Sequence, residues 1–153
     1  MDLHFEALAE DRPGPRWQHW FQTLWPTYRR WYLTPGDAAR PTYLDCERAL
    51  HAHLPKFVPT WERLVELAGG GDLEARFLSL YCPPPYLTGC SQAAWTAPAP
   101  MLVRNYDYSP FLCEKLIWRT AWNGRAVIAA SDCLVGVLDG INDAGLTVSL
   151  SFG

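Results

Sequence analysis

The sequence lacks the features of a membrane protein, a nucleic-acid-binding protein or a secreted protein. No stretch approaches the roughly 18 apolar residues that a spanning helix needs. The longest basic run is Arg29-Arg30 and the formal net charge is −3, so contact with nucleic acid or a polybasic membrane patch is not expected. Acidic residues occupy the N-terminus, where a secretory signal would be basic and then apolar. We therefore expect a cytoplasmic protein.

Motifs for metal binding are also lacking. No histidine follows His53, and His51 and His53 lie two positions apart on a predicted helix, so they point in different directions. No C-x-x-C pair occurs, which makes zinc improbable, and we predict no metal site. The odd number of cysteines without a regular framework predicts reduced thiols; the cysteines are Cys46, Cys82, Cys90, Cys113 and Cys133.

The first half of the chain has the periodicity of helices. Apolar residues between 17 and 32 recur at helical spacing and predict an aromatic core stripe, which Pro26 should kink or split. Further helical patterns cover 43–54 and 60–68, and a shorter one covers 72–80. We expect Thr60 to cap the 60–68 helix and the glycines that follow it to end that helix.

The second half consists of short β-prone runs separated by turn residues, at 101–107, 115–122, 125–131, 133–139 and 146–152. Asn123-Gly124 and the segment 142–145 predict two hairpin turns. The fold class is therefore α+β, with a helical N-terminal segment followed by an antiparallel sheet. Because the last run reaches the end of the sequence, one apolar face would stay uncovered, and we expect more chain or a partner to complete the fold.

One predicted hairpin brings chemically active residues together. If residues 90–107 form a hairpin centred on 98–99, Cys90 lies opposite Asp107. Arg104 would then lie on the other face, unless the strand ends or bulges near Asn105. A thiol beside a carboxylate and a guanidinium suggests a nucleophile, because a nearby cation favours the thiolate.

This nucleophile needs a base, and a cut between Gly89 and Cys90 would supply one. Cleavage there would give the cysteine a free α-amino group, whose pKa of roughly 7.7–8.0 suits proton transfer near neutral pH. Glycine before the nucleophile leaves an unhindered carbonyl for attack by the neighbouring thiol. The pair Gly89-Cys90 is therefore a candidate autocleavage site.

The motifs GCS, VRNYDYSP and DGINDAGLTVSLSFG, in this order, resemble the N-terminal nucleophile (Ntn) hydrolases. The likeness is greatest to the isopenicillin N acyltransferase-like family (acyl-CoA:6-aminopenicillanic acid acyltransferase), and it is more distant to choloylglycine hydrolases and penicillin V acylases. It covers about residues 86–153. Those families use a cysteine exposed by processing, an R-N-x-D motif and a G-x-N-x-x-G-L turn.

The resemblance implies a role for each matching residue. Cys90 would be the nucleophile, Arg104 a positive neighbour, and Asp107 the residue that orients the new amino terminus. Asn142 would fix the turn before the last strand, and Ser151 would lie near the oxyanion-hole amide. The chemistry that the resemblance implies needs no metal and no cofactor.

The resemblance also implies a division of the chain. Residues 1–89 would be a helical pro-segment or α-subunit, and residues 90–153 the start of a catalytic αββα sandwich. Members of the family are longer, which implies that the remainder of the fold or another subunit is required. The expected function is hydrolysis or acyl transfer at linear amide bonds of a small molecule, through a thioester on Cys90. The alternative is a non-catalytic interaction module or an inactive fragment completed by a partner chain.

Overall fold

A computed structural model describes residues 3–85, 90–96, 98–106 and 113–151. Within these residues the chain forms four α-helices: α1 (Pro15–Tyr32), α2 (Tyr43–His53), α3 (Val58–Ala68) and α4 (Asp72–Leu78). Short 3₁₀ turns cover Asp37–Ala39 and Pro55–Phe57. The strands are β1 (Glu6–Ala9), β2 (Cys90–Trp95), β3 (Met101–Tyr106), β4 (Leu116–Thr120), β5 (Val127–Asp132), β6 (Gly136–Asn142) and β7 (Thr147–Ser149). The predicted α+β class is confirmed.

Helix α1 is the aromatic stripe predicted from the sequence, and it packs into the core. Trp17, Phe21 and Tyr32 are buried, and the indole nitrogen of Trp17 donates to the Leu134 carbonyl oxygen at 2.9 Å. This bond ties α1 to the turn between β5 and β6. Pro26 does not split the helix, which runs unbroken through it, because the aromatic face on both sides of the proline is held in the core.

The other helices follow the predicted pattern with one shifted start. Helix α2 begins with a capping box, in which Thr42 and Asp45 satisfy each other's backbone amides. Helix α3 begins at Val58, so the prediction that Thr60 is its cap is wrong; Pro59 fits the first turn, which needs no amide donor. The helix ends as predicted at Gly69, whose φ of 106° favours glycine.

The main sheet has five strands in the order β1-β4-β5-β6-β7. The pairs from β4 to β7 are antiparallel, as predicted. Strand β1 pairs parallel with β4, so the sheet is mixed, and the first half of the chain supplies one strand where only helices were predicted. The short segment Glu6–Ala9 contains no β-branched residue, so its sequence does not favour a strand. It is a strand because it pairs with β4, which is distant in the sequence. Both predicted turns are present, with Gly124 and Gly145 at positive φ.

The strands β2 and β3 form a separate two-stranded sheet. Cys90 pairs with Tyr106 and Gln92 pairs with Arg104, so the predicted register, with Cys90 opposite Asp107, is off by one residue. The physical reason is the turn, since Trp95 pairs with Met101 and the connection is centred on Pro98.

The helices and the β2–β3 hairpin lie on opposite sides of the main sheet. Leu116 and Trp118 of β4 are buried against the helices. Ile117, between them, points to the other side, where a cavity of about 570 Å³ lies between β3 and the sheet. We call this the outer face of the sheet, and the predicted site residues of β2 and β3 lie beside it.

Candidate active site

Arg104 of β3 is the central charged group beside the outer face. Its side chain is only 6% exposed, and it forms an ion pair with Asp139 of β6. The guanidinium Nε lies 2.9 and 3.2 Å from the two carboxylate oxygens, and Nη2 donates to the same carboxylate. Several N–H groups on one carboxylate fix the plane of the guanidinium as well as its position. The hydrogen bonds that Arg104 donates to Asp139 raise the pKa of Arg104 further, against the effect of burial.

The same guanidinium reaches the predicted nucleophile. Nη1 of Arg104 lies 3.7 Å from Sγ of Cys90, which is half-buried. Because Gln92 is the residue opposite Arg104, Cys90 lies two residues from it and on the same face of the hairpin. The structure therefore brings Cys90 and Arg104 together in regular strands, without the bulge that the predicted register required.

Asp139 was not identified from the sequence. Burial alone would raise its pKa, but the hydrogen bonds from Arg104 and Ser149 prevail and lower the pKa. The Ser149 hydroxyl donates to Asp139 at 2.5 Å, and Gln92 donates to that hydroxyl at 3.2 Å. A carboxylate in the middle of the apolar run VLDGI was the available signal. No local sequence pattern indicates that Asp139 pairs with Arg104, which lies 35 residues earlier.

The two residues assigned to site shaping lie in different places. Asn142 ends β6, and its side-chain oxygen accepts from the amides of Ala144 and Leu146 at 3.0 and 2.9 Å, so both of these hydrogen bonds lie within the turn. Ser151 lies beside Cys90, where its hydroxyl donates to the Cys90 carbonyl oxygen at 3.4 Å. Asp107 and Gly89, the other predicted site residues, lie outside the described residues.

A second polar cluster, on the helical side of the sheet, was also missed. The Glu114 carboxylate accepts from the Ser131 hydroxyl at 2.5 Å, from the Leu134 amide at 2.7 Å and from the Tyr28 hydroxyl. Burial raises the pKa of Glu114 to about 7, although these hydrogen bonds oppose the rise. Burial and the nearby Glu114 charge also raise the pKa of Tyr28. The cluster joins α1 to the sheet.

The described residues form neither a cluster of metal ligands nor a helix that could span a membrane. Among them, no group of three or more His, Cys, Asp or Glu side chains is arranged to hold a metal ion. No helix in the described part of the chain has the length and apolar character needed to cross a membrane. What the site does offer is a thiol, a fixed cation and an adjacent cavity of about 570 Å³, which falls within the size range of small-molecule pockets.

These observations place the protein in a class. Helices packed on one side of a mixed sheet, with a separate hairpin beside the other side, are consistent with part of an Ntn-type α+β fold. Residues 95–153 match the model of one family, described as acyl-coenzyme A:6-aminopenicillanic acid acyl-transferase. The resemblance predicted from the motifs is thereby confirmed for this part of the chain.

The family match has clear limits. It covers less than half of the chain and spans Arg104, Asp107, Asn142 and Ser151, but it begins after Cys90. Comparison with curated proteins and comparison with solved structures gave no match.

Replacing Arg104 by methionine is expected to slow alkylation of Cys90 by iodoacetamide several-fold. Nη1 of Arg104 donates to the sulfur at 3.7 Å, and methionine removes this cationic partner of the sulfur that reacts with iodoacetamide. Peptide mapping after timed labelling measures the rate at each cysteine, and Cys113 in the same sample is the internal control. Equal rates at Cys90 in both proteins would show that Arg104 does not act on the thiol.

Proposed function

We propose that the chain carries the nucleophile of an autoprocessed cysteine amidohydrolase or acyltransferase that acts on linear amide bonds of a small molecule. The observation that carries the proposal is the contact of 3.7 Å between the Cys90 sulfur and Arg104, a guanidinium fixed by Asp139. The acyltransferase family match over residues 95–153 supports the reaction type.

Processing would begin at the Gly89–Cys90 peptide bond. The Cys90 thiol attacks the Gly89 carbonyl carbon as its sulfur gives up its proton, the C–N bond breaks, and the nitrogen takes up that proton and leaves as the free α-amine of Cys90. Water then hydrolyses the thioester and leaves Gly89 as a carboxylate. Glycine suits this step because its carbonyl is sterically open. Arg104 stabilises the attacking thiolate.

Turnover would use the same thiol with its new amine as the base. The amine takes the thiol proton as Cys90 attacks the amide carbonyl of the substrate, and returns it to the leaving amine. The resulting thioester is resolved by water or by an acceptor amine. Asp107 would hold the amino terminus, and Ser151, whose hydroxyl already contacts the Cys90 carbonyl, would lie at the oxyanion side. This chemistry requires no metal and no cofactor.

We further propose that additional chain or another subunit completes the site. The outer face exposes Ile117, Ile128, Ile141 and Val148, and such a face is normally covered in a finished sandwich. None of the five cysteines forms a disulfide, which suits a reducing compartment such as the cytoplasm.

The same exposed face favours a second candidate, a non-catalytic interaction module. In that case Cys90 would be unreactive in labelling, and the protein would associate with rising concentration through the outer face. Measuring the Cys90 labelling rate and the sedimentation behaviour of one sample separates the two candidates.

The intact mass of the protein as its natural host makes it tests the proposal. We expect two pieces, one ending at Gly89 and one beginning at Cys90. A Cys113→Ala variant should split in the same way, because Cys113 has similar intermediate exposure and no proposed role. A single uncut chain with normal amidase activity would refute the mechanism.

A further inference from the structure

The helical side of the main sheet contains a second cavity, of about 530 Å³, on the opposite side from Cys90. Its floor is formed by β5 and includes Val127 and Ala129, and its roof is the segment from the end of α2 to the start of α3. Arg104 and Asp139 line the outer-face cavity and do not line this one. A ligand here would therefore not contact the candidate active site.

The wall of this cavity is apolar and aromatic. Phe57, Trp118 and Trp122 line it, together with aliphatic residues such as Leu134. Ser131 also lines it, but its hydroxyl is already bonded to Glu114. A wall of this kind binds the apolar body of a ligand, and the volume is typical of small-molecule sites.

The ionisable side chains at the cavity are basic. The ionisable residues among the described lining are His53 and Lys56, and no acidic residue is among them. Both side chains are exposed, so they lie at the rim and not in the wall. The indole nitrogens of Trp118 and Trp122 are buried donors without a hydrogen-bond partner in the described structure. Lys56 and these donors together suit a ligand that ends in an anionic acceptor.

We propose that this cavity binds a carboxylate amphiphile, of the class that includes medium-chain fatty acids. The apolar chain lies between the β5 floor and Phe57, and the carboxylate pairs with Lys56 at the rim. This binding site is separate from the proposed amide chemistry, and ligand binding to it does not depend on Cys90.

Isothermal titration of the full chain with decanoate tests the site. We expect one decanoate per chain, and decyltrimethylammonium, whose alkyl tail is one carbon longer and whose charge is opposite, to bind at least about tenfold more weakly. Lys56→Glu should weaken decanoate binding by about tenfold. Thr60→Phe, which places an aromatic ring into the cavity from α3, should abolish it.

Arg48→Glu is the matched control, because Arg48 is an exposed cation of α2 that does not line this cavity. Its affinity for decanoate should equal that of the unmodified chain. The proposal is overturned if decanoate does not bind, if both amphiphiles bind equally, or if the Lys56 and Arg48 variants lose the same affinity. Unchanged binding by the Thr60 variant would also overturn it.

Discussion

Replacing Cys90 by alanine is expected to leave the chain uncut and to reduce amide turnover by a factor on the order of 10⁴ or more. Both proposed reactions begin with attack by the Cys90 sulfur, and alanine has no atom that can replace it. Cys90→Ser should retain slow cleavage, because a hydroxyl can make the same attack but is a much poorer nucleophile at neutral pH. Intact mass and amide hydrolysis, measured on the same preparations, give both results.

The Cys90→Ala substitution should change the free energy of unfolding very little, so a loss of activity would not be caused by a loss of folding. Cys90 lies at the start of β2 and is half-buried, so loss of its sulfur opens no closed core cavity. The unfolding midpoint of Cys90→Ala should stay close to that of the unmodified chain. Cleavage of the alanine variant before residue 90 would contradict the proposed role of the thiol.

The second large effect concerns stability and pH. Because burial raises the pKa of Glu114 to about 7, the folded chain retains a proton that the unfolded chain releases near pH 4.5. The contribution of the protonated Glu114 carboxyl to the free energy of unfolding is fully present below about pH 4.5. It is lost as the pH rises through about 7, at a cost of about 3 kcal/mol in the free energy of unfolding.

Glu114→Gln isolates this effect. The amide cannot ionise, and its oxygen can still accept from Tyr28 and Leu134, which donate to one carboxylate oxygen in the structure. Urea unfolding at several pH values between 4.5 and 8 should show the unmodified chain losing about 3 kcal/mol relative to the glutamine variant. Glu66→Gln, at an exposed position on α3, should follow the unmodified chain. Parallel pH profiles for the unmodified chain and Glu114→Gln would contradict the raised pKa.

The parts of the fold that depend on local sequence were predictable. Helix α1 follows from its aromatic spacing, and the turns at Gly124 and Gly145 follow from residues that tolerate positive φ. Strand β1 was not predictable, because its strand partner in the described part of the chain is β4, more than a hundred residues away. The start of α3 was misplaced because Pro59 and Thr60 both carry helix-start signals, and the proline signal prevailed.

At the candidate site, contacts between residues that are close in the sequence could be predicted. Contacts between residues that are far apart in the sequence could not. Cys90 and Arg104 belong to one hairpin, so the sequence could place them close together even though the register was off by one residue. The Asp139 partner of Arg104 comes from another sheet, and Tyr28 reaches Glu114 across 86 positions. Pairs of this kind depend on how elements pack, which periodicity and turn residues do not specify.

The central claim is that Cys90 becomes a chain terminus with a free amine next to its thiol. A cyanobenzothiazole reagent tests this directly, because it forms a stable ring only with a 1,2-aminothiol and not with an internal cysteine. We predict a single adduct on the peptide that begins at Cys90, with Cys113 unmodified in the same sample. A purified, active protein that forms no such adduct would contradict the account.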